Sequence, residues 1–111
     1  MMTSKIYQAV IDRPLGYQDD WGNVYPINYG YIPNLIAGDG EEQDVYVISR
    51  AVEQAVTHFE CRLTAVIHRR DDNEDKWILT GVDEEVSLAQ ITEATHFLEQ
   101  HFDSWIELLE A

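Results

Sequence analysis

Four carboxylates, Asp39, Glu41, Glu42 and Asp44, fall within six residues of a run from Tyr25 to Ile48 that opens on a tyrosine-rich segment. A second knot places Asp71, Asp72, Glu74 and Asp75 directly ahead of Lys76. Carboxylates crowded in this way repel one another, so each cluster must stand open to water or share a bound cation. A hard divalent ion such as Mg²⁺ takes oxygen ligands and keeps several waters. Asp39 and Asp44 from one loop can begin such a site, and Asp71 and Asp75 from the other can complete it. Two ions held there can activate a water and neutralise a phosphate. Glu41 is the candidate to accept the proton of that water. Tyr29 and Tyr31 stand two residues apart and share a face, and with Tyr25 they can donate hydroxyl hydrogen bonds to a phosphate oxygen. Arg62, Arg69, Arg70 and Lys76 are four of only seven basic residues, and three of them flank the second acidic run, as a transferring phosphoryl group requires. The competing reading is two solvated acidic turns, tyrosine rings that fill a core, and basic residues that balance local acid. Neither acidic run matches the pattern of a calcium-binding loop.

Composition narrows the partners. The chain has 111 residues and a formal charge of -14, from seven basic and 21 acidic residues. That field repels nucleic-acid backbones and anionic lipid, so neither nucleic acid nor membrane is an expected partner. A small phosphate substrate is expected to arrive with its metal. At 45% hydrophobic residues the chain is read as one domain over 1–111. The single cysteine, Cys61, excludes an internal disulfide and sits in an alternating apolar stretch, as an inert core thiol does. No apolar run approaches the ~20 residues needed to span a bilayer. The N-terminus lacks the pattern of a secretory leader, so a cytoplasmic protein is expected. The four histidines, His58, His68, His96 and His101, show no metal-ligand spacing. No P-loop, dinucleotide-binding glycine pattern or nucleophile elbow is present.

Several short strands must position these groups. Lys5–Ile11 reads as a first strand, ended by Arg13-Pro14-Leu15-Gly16. Val24–Ile32 is rich in β-branched and aromatic residues, and Gly30 within it marks a bulge or a close backbone approach. Pro33 and Asn34 are expected to turn the chain. Gly38 and Gly40 let the acidic loop bend and present its carboxylates inward. Val45–Ser49, Val56–Ile67 and Trp77–Val82 complete the strands, with His68–Lys76 as a charged turn. The spacing predicts a small barrel over about residues 4–82. Ser87 and Gln90 then form a capping box, and Leu88, Ile91, Thr95, Leu98, Phe102, Trp105 and Leu109 recur at helical spacing. A helical segment over about 88–110, or two helices broken near Asp103, is expected to cover one barrel face. An exposed helix face would permit a homo-oligomer.

The stretch Tyr25-Pro26-x-Asn28-Tyr29-Gly30-Tyr31-Ile32, followed by Asp39-Gly40-x-x-x-Asp44-Val45, resembles the soluble family I inorganic pyrophosphatases. Arg62, then Asp71 to Asp75 with Lys76, is similar to the family's next block. The resemblance covers about residues 10–80 and is echoed weakly at His96-Phe97 to Glu99. It implies a mainly β fold with a C-terminal helix, built on a five-stranded OB-like barrel. It implies Mg²⁺, or Mn²⁺ in its place, held by Asp39, Asp44 and Asp75 with Asp71 alongside. Asp12 falls where the family has a first-strand glutamate, and Glu41 where it has an aspartate that helps activate water. Tyr29 and Lys76 match residues on the phosphate side. The implied reaction is hydrolysis of pyrophosphate by in-line attack of activated water, without a covalent intermediate.

The departures from the family pattern are also specific. Family members are longer, and the hairpin that follows Asp12 is shortened here to RPLGYQDDWGN, without the family's phosphate-binding lysine. The arginine that precedes the tyrosine motif has no clear match. The helix's adjacent tyrosine and lysine fall near His101 and Phe102, which cannot repeat their roles. The spacing from Asp71 to Asp75 is one residue short, and Glu41 is one methylene longer than aspartate. The metal side is thus retained and the phosphate side depleted, with Arg13, Arg69 and Arg70 as candidate substitutes. Two functions follow as alternatives. One is a Mg²⁺-dependent hydrolase of pyrophosphate or a related small phosphoanhydride. The other is a non-catalytic metal-binding or protein-interaction module that kept the barrel.

Overall fold

The computed structural model describes residues 6–38, 40–49, 58–70, 75–82 and 84–109. Six strands and one helix follow in the order β1 (Ile6–Arg13), β2 (Asn28–Ile36), β3 (Glu42–Val47), β4 (His58–Arg69), β5 (Asp75–Thr80), α1 (Leu88–Glu99) and β6 (Ser104–Leu108). The sheet runs β1-β2-β3-β5-β4-β6, and an additional β1–β4 pairing closes the first five strands into a barrel. All pairings are antiparallel except β3 with β5.

Alternation along the strands sorts the apolar side chains into two cores. Ala9, Ile11, Ile32, Val45, Val47, Cys61 and Leu79, drawn from all five barrel strands, fill the interior. Tyr25, Tyr29, Tyr46, Ala65, Ile67 and Ile78 form a second cluster on the outer face, under Ile91, Phe97 and Leu98 of α1. The barrel is thus packed within and has one covered outer side, as expected of strands that cannot leave both faces in water. Gly30 is required by close approach: a Cβ there would collide with the Val10 carbonyl and lie 2.8 Å from Ile11 Cα. The capping box forms, with Ser87 Oγ accepting from Gln90 N at 3.1 Å and Gln90 Oε1 accepting from Ser87 N at 2.8 Å.

Three expectations need correction. Pro33 and Asn34 do not turn the chain. They remain in β2, where Asn34 takes a positive φ of 66° and the register with β3 shifts between Ile32 and Ile36. A local irregularity is how a strand accommodates a residue that cannot donate to the ladder. The turn comes later, with Gly40 N donating to Ala37 O and Ala37 N to Glu41 O, and it leaves Glu41 and Glu42 exposed rather than turned inward. The second correction is that His68 and Asp75 belong to β4 and β5, not to a loop, and pair across them. Finally, the apolar stripe does not continue as helix to residue 110. α1 stops at Glu99, and Ser104–Leu108 runs as β6 on the edge of β4. Phe102, Trp105 and Leu109 mimic helical spacing, but the open edge of β4 offers backbone partners that a lone helical turn lacks.

Candidate active site

On the covered outer face, β2, β3 and β5 bring three polar side chains together. Lys76 is buried on β5, and its Nζ donates to Asp44 Oδ2 on β3 at 2.6 Å and to Tyr29 Oη on β2 at 2.8 Å. The register explains the meeting. Val45 pairs with Trp77, so Asp44 and Lys76 lie side by side, and Tyr29 faces Tyr46 two residues along β3. Asp44 is the wet end of the group: its side chain is 32% exposed against 5% for Lys76. A lysine ammonium is tolerated at such depth because a carboxylate and a hydroxyl satisfy it.

A second polar group lies on the same face. Glu99, at the end of α1, accepts from Tyr46 Oη at 2.6 Å and pairs with Arg69 of β4, whose Nε and Nη2 donate at 3.1 and 2.6 Å. The Arg69 guanidinium also sits 3.7 Å from the centre of the Phe102 ring. Burial, then the Glu99 carboxylate beside it, holds the Tyr46 hydroxyl firmly protonated. The Tyr29 and Tyr46 rings meet edge to face at 5.1 Å and join the two groups. Sequence reasoning missed Tyr46 and Glu99 as part of this seam. Its signal was a carboxylate at 99 on the same stripe as Ile91 and Thr95, since a buried acid requires a partner.

A third cation closes the row. Arg13, the last residue of β1, pairs with Tyr29 across to β2. Its Nη1 donates to Tyr25 Oη at 2.5 Å, and its guanidinium stands 5.7 Å from each of the Tyr17, Tyr25 and Tyr29 ring centres.

The remaining candidates divide. Asp39 and Asp71 lie outside the described residues, as do Asp72 and Glu74. Asp75 is described and faces the other way. Its neighbour Lys76 contacts Tyr29 on the outer face, and Trp77 packs with the interior cluster, so alternation turns Asp75 away from Asp44. There its Oδ1 meets His68 Nδ1 at 3.2 Å, while His68 Nε2 meets Glu107 Oε1 at 2.9 Å and the ring stacks on Trp105. The hydrogen bond to Glu107 foremost, and then Asp75, raises the His68 pKa against the opposing effect of its partial burial. Arg62 pairs with Thr80 at the far end of β5 and donates to the Glu84 carbonyl, away from Lys76. Arg70 forms an exposed pair with Asp103 at 2.9 Å. Asp12 is exposed at the end of β1, and Glu41 is exposed in the turn before β3. Among the described residues no three His, Cys, Asp or Glu side chains converge on one point. Asp44 fits a hard cation in donor type and in its access to water, and it stands three residues from Glu41.

The family model described as inorganic pyrophosphatase matches residues 11–108. A protein of Xylella fastidiosa (strain 9a5c) named inorganic pyrophosphatase is 28% identical in an alignment that spans 76% of this chain and 57% of that protein. One of Aquifex pyrophilus with the same name is 42% identical over 48 residues, 43% of this chain. The chain spans little more than half the length of the first of these relatives. Among solved structures, the crystal structure of inorganic pyrophosphatase from Ehrlichia chaffeensis superposes with a TM-score of 0.70 at 20% identity, covering 97% of this chain and 88% of that one. The inorganic pyrophosphatase of Helicobacter pylori gives 0.65, also at 20% identity, covering 97% and 86%. The two superpositions show a shared fold.

Proposed function

The chain belongs to the inorganic pyrophosphatase family, and from that premise we propose that it hydrolyses pyrophosphate, or a related small phosphoanhydride, to phosphate. The observation that carries this reading is the cluster of Asp44, Lys76 and Tyr29 on one covered face. Phosphoanhydride hydrolysis needs little covalent chemistry from a protein. It needs positioned charge at the oxygens where negative charge gathers, and a water delivered in line with the leaving phosphate. Lys76 is proposed to donate to a phosphate oxygen, with the Tyr29 hydroxyl beside it in the same role, a reading supported by their meeting beside Asp44. Glu41, exposed near Asp44, is the group proposed to accept the water's proton. As the water oxygen bonds to phosphorus, the bridging P–O bond breaks and its electrons leave with the second phosphate.

Mg²⁺, or Mn²⁺ in its place, would supply charge neutralisation and a more acidic water when bound. Asp44 would hold the ion, and Asp39 and Asp71 are proposed to share it. With a net charge of -14 around the site, the substrate is expected to enter as its metal complex. No helix among the described residues is long and apolar enough to cross a membrane. From the family membership we propose a cytoplasmic reaction. The second reading, a non-catalytic module, draws support from Arg69, which is committed to Glu99, and from Asp75, which is turned from the site. The two readings separate in a phosphate-release screen of metal-stripped protein with added Mg²⁺ or Mn²⁺, against pyrophosphate, nucleotides and sugar phosphates. Release from pyrophosphate supports the hydrolase. Metal binding without release from any substrate at high protein concentration would establish the module instead.

A further inference from the structure

The geometry points to Arg13 as the anchor for the second phosphoryl group of the diphosphate, an inference that rests on the hydrolase reading. The described cations of the outer face and its rim sort by partner. Lys76 is bonded to Asp44, Arg69 to Glu99 and Arg70 to Asp103. Arg13 forms no ion pair among the described residues. Its hydrogen-bond partner is a neutral hydroxyl, Tyr25 Oη, which engages one of the five N–H groups of the guanidinium. The nearby carboxylate, Asp19, is occupied in its own loop, where it accepts from Trp21 N, Asn23 N and Asn23 Nδ2 at 2.9–3.0 Å.

Position makes this guanidinium more than a surface charge. Three tyrosine rings surround it at equal distance, so its long side chain is ordered before any ligand arrives and less freedom is lost on binding. Arg13 and Lys76 stand against the same ring, at 5.7 and 5.5 Å from the centre of Tyr29. A diphosphate carries two charged groups joined through one oxygen. One can lie at Lys76 and Tyr29 while the other takes two parallel hydrogen bonds from the Arg13 fork, a geometry that lysine cannot supply.

A purely structural Arg13 would hold the 14–25 segment to the end of β1 through Tyr25 and do nothing else. The distinguishing experiment is calorimetric binding of imidodiphosphate, the analogue with a nitrogen bridge, to the full chain with Mg²⁺. Thermal melts and Mg²⁺ titrations are run in parallel. We expect Arg13→Gln to weaken binding by about tenfold or more, consistent with loss of charge-assisted hydrogen bonds, and to leave Mg²⁺ affinity unchanged. Arg13→Lys should fall between the two. If Arg13→Gln does not fold, Arg13→Lys decides by the same comparison. Wild-type affinity in the folded variant, or no binding to the wild type, would overturn the anchor. Binding lost with Arg13 in a protein that never turns over pyrophosphate would keep the anchor and sink the hydrolase. Turnover with a KM indifferent to Arg13 would do the reverse.

Discussion

At the scale of single residues, the outer face depends on charges that are satisfied in pairs. Arg69 and Glu99 are both more than nine-tenths buried, and Tyr46 also depends on Glu99. Glu99→Leu would remove the buried carboxylate that accepts from both the Arg69 guanidinium and the Tyr46 hydroxyl, and should cost about 3–5 kcal/mol of unfolding free energy. The double change Arg69→Met with Glu99→Leu should recover most of that loss, because an apolar replacement of both partners removes the desolvation penalty. Denaturant unfolding of the wild type, Glu99→Leu, Arg69→Met and the double variant checks this, and strict additivity of the two single losses would refute it. Cys61 offers a second test. It is fully buried in the barrel interior, and that burial pushes its thiol up to about 12. It should therefore resist a thiol reagent at pH 8 and react fully once denatured. Its burial was legible in the sequence. The family resemblance picked out Tyr29 and Lys76 as phosphate-side residues and Asp44 as a metal ligand, but not the hydrogen bonds that join them. The orientation of Asp75 was not legible either. A one-residue step along a strand reverses a side chain, and no composition argument tells which of two adjacent residues faces the site.

At the scale of elements, the five barrel strands and the capped start of α1 could be read from turn residues, alternation and the capping box. The exit from α1 could not. Trp105 and Leu109 fit a helical period as well as a strand, and the choice was made by the unpaired edge of β4, a tertiary fact. β6 is then fastened by His68, which bridges Asp75 of β5 and Glu107 of β6. Because the folded protein raises the His68 pKa above its usual 6.5, the stabilisation from this bridge is complete below that value, within the range where the carboxylates stay ionised. It is lost as pH climbs through the raised value. Urea midpoints measured from pH 5.5 to 8.5 should fall with rising pH, and His68→Gln should flatten the slope. A wild-type slope that survives His68→Gln would assign the effect elsewhere. α1 is held differently, by apolar contact and the buried Glu99, which makes its inner face the lid of the polar seam.

At the scale of the whole molecule, this chain shares the barrel and helix of solved pyrophosphatases, while its alignment spans 57% of its Xylella relative. Arg13, Lys76 and Asp44 stand in a row on one outer face, and that row is the one proposed to meet a metal-bound diphosphate. With a formal charge of -14 on the whole chain, the proposed substrate is expected to arrive with its charge partly cancelled. The proposed function carries a directional prediction: chemistry at the face that carries Lys76 and not at the face that carries Asp75. The most direct measurement is steady-state phosphate release from pyrophosphate with saturating Mg²⁺ for wild type, Lys76→Met and Asp75→Asn. We predict that Lys76→Met loses about 10²-fold or more in turnover, the scale of one preorganised donor, and that Asp75→Asn stays near wild type. Release abolished by Asp75→Asn and undiminished by Lys76→Met would contradict the placement of the site.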